Sequence, residues 1–201
     1  MIGIIDFQIN NVGSLLNAVK SLGIDFKVVT KPVDLVDCRL IILPGVGTFD
    51  AGMNALTALG FDKAIKEIDP KCQKVLGICL GMQLLFDSSD EGLQSGLGFF
   101  DQRVRSLRDL GCQGKIPHVG FNDLSNCDEG SIFSKYKGQD FYFIHSFGVP
   151  AGGLSVPQCC VNVGGENIVA AIQADNIFAT QFHPEKSGQL GVNLIKDIYL
   201  C

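Results

Sequence analysis

Charge is scarce in this sequence, and no block of it carries one sign. Asp, Glu, Lys and Arg make up 18% of the 201 residues, and the formal net charge is -5. With no basic stretch to neutralise phosphates, nucleic acid is excluded as the main partner. Arg103, Arg105 and Arg108 cluster locally, but Asp101 and Asp109 flank them, which reads as a solvated face. No apolar run approaches the roughly 18 residues of a membrane span. The opening "MIGIIDF" lacks the basic start and the length of an export signal. A soluble, cytoplasmic protein is expected. The pattern CxxC is missing, and the three histidines lie far from most of the eight cysteines, so no metal and no cofactor is expected. Without an export signal, the scattered cysteines do not read as a disulfide framework; most are expected to be small hydrophobes. Cys159 and Cys160 are adjacent, so their side chains diverge on a strand, and neither is given a role. Repeats, low-complexity tracts and linkers are absent, so residues 1–201 read as one domain.

What is present is a core. Hydrophobic residues reach 46%, enough to bury a sizeable interior. "MIGIID" is continuous and β-branched, as a strand buried on both faces should be. "NVGSLLNAVKSLG" then places Val12, Leu15, Leu16, Val19 and Leu22 on one helical face, with Gly23 closing the helix. "FKVVT" and "RLIILPG" read as strands, "AGMNALTALGFDKAIKEI" as helical, "QKVLGIC" as a strand and "LGMQLLFDSS" as a helix. This β-α-β-α order implies a mostly parallel sheet covered by helices. After about residue 98 the texture becomes strand-like, in "VRSL", "DFYFIHSFGV", "CCVNVG", "IVAAIQA" and "IFATQFH". Parallel and antiparallel pieces are expected to mix there, before a last helix in "GQLGVNLIKDIYL".

One stretch does not fit a purely structural reading. In "VLGICLGMQLLF" a cysteine, Cys79, stands between Gly77 and Gly81 where a strand meets a helix. That is the layout of a nucleophile elbow, which needs close backbone approach and strained dihedrals. A helix N-terminus there favours thiolate and offers the Leu80 N–H to a developing oxyanion. A buried cysteine packed among glycines is the plain alternative. "QFHPEKS" weighs against it. His183 and Glu185 are two apart in an extended segment and share a face, so the imidazole can take a thiol proton while the carboxylate holds its tautomer. "ILPGVG" ends a strand in a glycine turn whose Val46 or Gly47 N–H could be a second oxyanion donor; alone, an ordinary turn explains it as well.

Together these motifs resemble the class I (triad) glutamine amidotransferases, and more closely the glutaminase subunits of imidazole glycerol phosphate synthase. "LPGVG", "GICLGMQLLF", "GLGFF", "KIPHVGFN", "FYFIHSF" and "TQFHPEKS" follow that pattern in order over essentially the whole chain. The resemblance implies a flavodoxin-like α/β fold and hydrolysis of glutamine to glutamate and ammonia. It implies that Cys79 is the nucleophile forming a glutamyl thioester, His183 the general base and acid, and Glu185 the orienting carboxylate. Val46, Gly47 and Leu80 fall where the oxyanion hole is built. Gln83, Glu91, Ser146 and Phe147 fall on substrate-binding positions. Phe121, Asn122, Tyr142 and Lys186 match the face where a (β/α)8-barrel cyclase subunit docks as heterodimer partner and takes the ammonia for imidazole glycerol phosphate synthesis in the histidine pathway.

The sequence departs from that pattern in two places. The usual D-Y-G-x-G-N segment reads "DFQINN", replacing both glycines by Ile9 and Asn10, which are less free, and the usual Trp of the PHxGWN segment is Phe121. Both changes lie on the partner-facing side. They leave open a paralogous subunit that feeds ammonia to a different barrel, such as one that aminates a surface sugar. A silent regulatory partner is the contrasting class, and the complete Cys79, His183 and Glu185 set speaks against it.

Overall fold

The computed structural model describes residues 1–7 and 12–201. The first strand, β1 (Ile2–Ile5), is followed by α1 (Gly13–Lys20), β2 (Phe26–Val29), β3 (Leu40–Leu43), α2 (Phe49–Leu59), α3 (Phe61–Lys66) and β4 (Lys74–Ile78). Next come α4 (Leu80–Gln83), β5 (Phe86–Ser89), β6 (Phe100–Ser106), β7 (His118–Asp123), β8 (Asp140–His145) and β9 (Phe147–Gly148). The chain ends with β10 (Gln158–Val163), β11 (Glu166–Ala174), β12 (Ile177–Thr180) and α5 (Gly188–Leu200).

The central sheet has the order β10-β11-β12-β4-β3-β1-β2. From β2 to β12 all pairings are parallel, whereas β11 and β10 join antiparallel. The parallel part, with β1 between β2 and β3, has the flavodoxin-like strand order. Its strands are apolar at nearly every position because both faces are covered. Ile2, Ile4, Ile42, Leu76 and Ile78 pack on one side against Leu15 and Val19 of α1 and Leu194, Ile195 and Ile198 of α5. Ile5, Ile41, Leu43 and Val75 pack on the other against Phe49, Met53 and Leu56 of α2 and Phe61 and Ile65 of α3.

Several sequence expectations change. The helix after Cys79 stops at Gln83, and "FDSS" is strand β5, parallel to β6, with Phe86 against Phe100 at 5.2 Å between ring centroids. Strand pairing and this ring contact override a helical spacing that was compatible with either state. The helical segment from Ala51 to Ile68 is two helices, because Gly60 adopts φ 77 and its N–H closes on the Leu56 and Thr57 carbonyls. Arg103 and Arg105 pair with Asp90, at 2.5 and 2.9 Å, and not with the flanking aspartates named from the sequence. Cys127 and Cys159 are joined as a disulfide, against the expectation of unpaired thiols. The segment before Cys127 lies along β10, bridging Ser125 to Cys160, so cysteines 32 residues apart become neighbours. Spacing along the chain carries no sign of that contact. The "DFQINN" expectation, at Ile9 and Asn10, lies outside the described residues.

Candidate active site

Three adjacent parallel strands, β3, β4 and β12, end side by side, and each carboxyl end opens into one of the motifs singled out above. Pro44–Gly47 follows β3, Cys79 follows β4, and Gln181–Glu185 follows β12. Open α/β sheets place ligands at this edge. A cavity of about 390 Å³ lies there, and Cys79, His183, Gly47 and Leu80 all contribute to its wall.

Cys79 is the strained point. Its backbone has φ 53 and ψ -108, and its N–H donates to the Thr180 carbonyl at 2.7 Å, which locks β4 to β12 at the turn. The neighbouring glycines are needed for close approach. A Cβ on Gly81 would collide with the Leu43 carbonyl, and one on Gly77 would sit 2.8 Å from the Gly81 carbonyl oxygen. The dihedral strain therefore falls on the cysteine, not on the glycines as the sequence suggested. Because α4 has only four residues, Cys79 precedes a single turn of N–H groups in place of a long macrodipole.

His183 Nδ1 and Glu185 Oε1 are 2.7 Å apart, with His183 buried and Glu185 half-buried. Nε2 of His183 is buried with no hydrogen-bond partner. Burial alone would lower the imidazole's affinity for a proton; interaction with Cys79 and Glu185 outweighs it and raises the pKa to about 9. The raising comes first from hydrogen bonding toward Cys79 and Glu185 and then from their charge, although Nε2 makes no closed hydrogen bond and the thiol lies 3.8 Å from the Ile144 carbonyl. The His183 backbone is held by β8, its N–H donating to the Tyr142 carbonyl at 2.8 Å.

The remaining positions named from the sequence gather around this centre. Val46, Gln83, Glu91, Ser146, Phe147 and Lys186 line the same cavity. Glu91 reaches it because Oε2 accepts from the Phe49 N–H at 2.8 Å, at the start of α2, while Asp50 accepts from Leu93 and Gln94 N–H groups in return. Burial raises the Glu91 pKa above the usual carboxylate range, against the Phe49 N–H and with the help of nearby Asp50. Phe121 and Tyr142 face outward on the β7–β8 hairpin, their rings 5.4 Å apart, and Lys186 Nζ lies 5.8 Å from the Tyr142 ring. Asn122 departs from this group: it points to the inner face of the hairpin and donates to His118.

Sequence reasoning missed Gln181. Its side chain is fully buried, its Nε2 lies 3.7 Å from the Cys79 sulfur, and its Oε1 accepts from Gln83 Nε2 at 3.0 Å. The signal was available, since the two-residue spacing that joins His183 to Glu185 also places Gln181 on that side. His118 and His145 were also given no role, and no linear spacing joins them.

Curated relatives include the imidazole glycerol phosphate synthase subunit HisH of Prochlorococcus marinus subsp. pastoris, 37% identical over 97% of this chain and 95% of that protein. Subunit HisH of a Synechococcus strain is 39% identical over 98% and 90%. Subunit HisH 1 of Campylobacter jejuni is 39% identical over 98% of each. Among solved structures, a glutamine amidotransferase superposes with TM-score 0.75 at 20% identity, covering 98% of both chains. The PurLQS structure from Thermotoga maritima gives 0.71 at 19%, covering 100% of this chain and 98% of that one. Residues 3–200 match the family "Glutamine amidotransferase class-I", and the chain belongs to that family.

Proposed function

We propose that this chain is the glutaminase subunit of an imidazole glycerol phosphate synthase, acting in the cytoplasm as one glutamine amidotransferase domain over residues 1–201. The observation that carries the mechanism is His183: Nδ1 is tied to Glu185 while Nε2 is buried, unpartnered and in the same cavity as Cys79. Nδ1–H donates to the carboxylate, which leaves Nε2 as the atom that exchanges a proton with the thiol.

The Cys79 sulfur, its proton already held by His183, attacks the side-chain amide carbon of glutamine. The N–H groups of Val46 or Gly47 and of Leu80 receive the oxyanion. His183 then protonates the leaving nitrogen, ammonia departs and a glutamyl thioester remains. Water, deprotonated by His183, attacks the thioester; the thiol is restored and glutamate is released. Gln83 and Glu91 hold the amino-acid end, where the carboxylate of Glu91 suits an ammonium group, and Ser146 and Phe147 line the substrate site beside them. Ammonia free in water would be protonated and lost as a nucleophile. Ile144 lines the cavity, and with Val119 and Phe121 it forms an outward apolar face of the β7–β8 pair, 40, 52 and 58% exposed, that suits a docked barrel subunit taking the ammonia directly. No described helix is long and apolar enough to cross a membrane.

The test is glutamine hydrolysis by this chain mixed with the cyclase barrel of its own organism, with and without the barrel's nucleotide substrate. Strong stimulation by that ligand supports the histidine pathway. Phe121, in place of the expected Trp, favours a second reading in which a different barrel is the acceptor. Silence with the cyclase, together with labelling of Cys79 by a glutamine-like electrophile, would support that reading.

A further inference from the structure

His118 and His145 face each other across the β7–β8 hairpin, with His118 Nδ1 2.9 Å from His145 Nε2. His145 Nδ1 lies 2.8 Å from the Phe147 carbonyl, and His118 Nε2 meets the side-chain nitrogen of Asn122. The Phe147 carbonyl also accepts from Gln83 Nε2 at 3.0 Å. A carbonyl can only accept, and this fixes every proton in the chain. His145 must carry its proton on Nδ1. If it is neutral, its Nε2 accepts, so His118 carries its proton on Nδ1. His118 Nε2 then accepts as well, and Asn122 must present its NH₂. The reverse direction would leave His145 Nδ1 and the Phe147 carbonyl as two facing acceptors.

Burial disfavours the charged form of both rings. Burial brings His145 down to about 3; the Phe147 carbonyl opposes this, and His118 and His183 add to it. Burial also lowers His118. His145 is 6% exposed and its ring lies edge-on to that of His118 at 5.0 Å. A group that stays neutral across the working pH range is poorly suited to proton transfer but well suited to holding a direction.

We infer that Asn122, His118 and His145 form a one-way hydrogen-bond relay that fixes the Phe147 carbonyl and, through it, the Gln83 side chain. The two histidines are positioning residues for the glutamine site, and Asn122 is the end of the relay nearest the docking hairpin face. Gln83 is thereby gripped from two sides, by the Phe147 carbonyl and by Gln181. The inference rests on the reading of Gln83 as a glutamine-binding residue.

Two measurements test it. The first is a long-range ¹⁵N–¹H NMR spectrum of the wild-type imidazoles, of which the chain has three. His145 is expected as the neutral Nδ1–H tautomer from pH 5 to 8, and His118 as the neutral Nδ1–H tautomer at pH 7 to 8. A His145 that is protonated there, or that carries its proton on Nε2, overturns the relay whatever the enzyme's activity. The second is glutamine kinetics of the complex with its barrel subunit, using His118→Phe and His118→Gln. Phe keeps a ring beside Phe143, 5.2 Å away, but removes both hydrogen bonds, whereas Gln keeps one donor and one acceptor. Loss of one relayed hydrogen bond predicts a rise in KM of about fivefold to tenfold for His118→Phe, with kcat changed less than about twofold. His118→Gln should recover at least half of that loss. Equal KM values for the two variants, or a fall in kcat at constant KM, would overturn the inference. Failure of the wild-type complex to hydrolyse glutamine would instead sink the functional reading, leaving the tautomer result to stand by itself.

Discussion

At Cys79 the backbone angles, φ 53 and ψ -108, are ones that L side chains rarely adopt. Such strain is of order 1–3 kcal/mol and persists where surrounding structure enforces it. Cys79→Gly should therefore be more stable than Cys79→Ala, by about 1–2 kcal/mol in urea melts, although both should abolish glutamine hydrolysis and leave partner binding intact. Residual turnover above about one per cent would count against a thioester. Glu185 bears on His183 through the hydrogen bond at Nδ1. Removing its charge removes support for the imidazolium, so Glu185→Gln should bring the His183 pKa down from about 9 toward 6.5, read by imidazole NMR titration. The sign for stability follows. A folded-state pKa raised above 6.5 contributes stability that is complete below that pH and is lost as pH rises through about 9. Glu185→Gln should flatten that part of the stability–pH curve.

Among the elements, two glycines separate backbone conformation from close approach. Gly60 ends α2 with φ 77 and has only Pro32 near the place of a Cβ, at 3.7 Å. Gly60→Ala should cost about 1 kcal/mol and leave glutamine turnover unchanged. Gly81 has an ordinary φ, but a Cβ there would meet the Leu43 carbonyl at the crossing of α4 and β3. Gly81→Ala should cost about 3 kcal/mol in thermal melts and should displace the Cys79 turn, so activity falls with stability. The strands β1, β3 and β4 were legible because each is a short apolar run covered on both faces. The helix α4 was misjudged in length because "LLF" suits a helix or a buried strand equally; only pairing of Phe86 with Phe100 on β6 decides. Gly60 announced the break between α2 and α3, although the surrounding apolar spacing masked it.

For the whole molecule, the expected dependence is on a second chain. The isolated subunit should be a poor glutaminase and the complex with its barrel a good one; full turnover by the lone chain would contradict the docking assignment. Phe121, 58% exposed on the outer face of the β7–β8 pair, should act as an apolar anchor. Phe121→Ala should weaken complex formation by about 1–2 kcal/mol in titration calorimetry while leaving the Cys79 turn intact. The triad residues and the alternation of strands and helices were decided by the sequence itself. The three groups proposed as nucleophile, base and orienting carboxylate are local chemistry: Cys79 needs bare glycines beside it, and His183 and Glu185 need only an extended segment to share a face. What the tertiary structure alone decided lies between segments distant along the chain. The sheet order brings the ends of β3, β4 and β12 to one edge. The β7–β8 register sets His118 against His145. The packing of β10 joins Cys127 to Cys159, and burial beside β4 aims Gln181 at the thiol. Periodicity reports which way a side chain faces within its own element. Which partner it meets there depends on how the strands assemble.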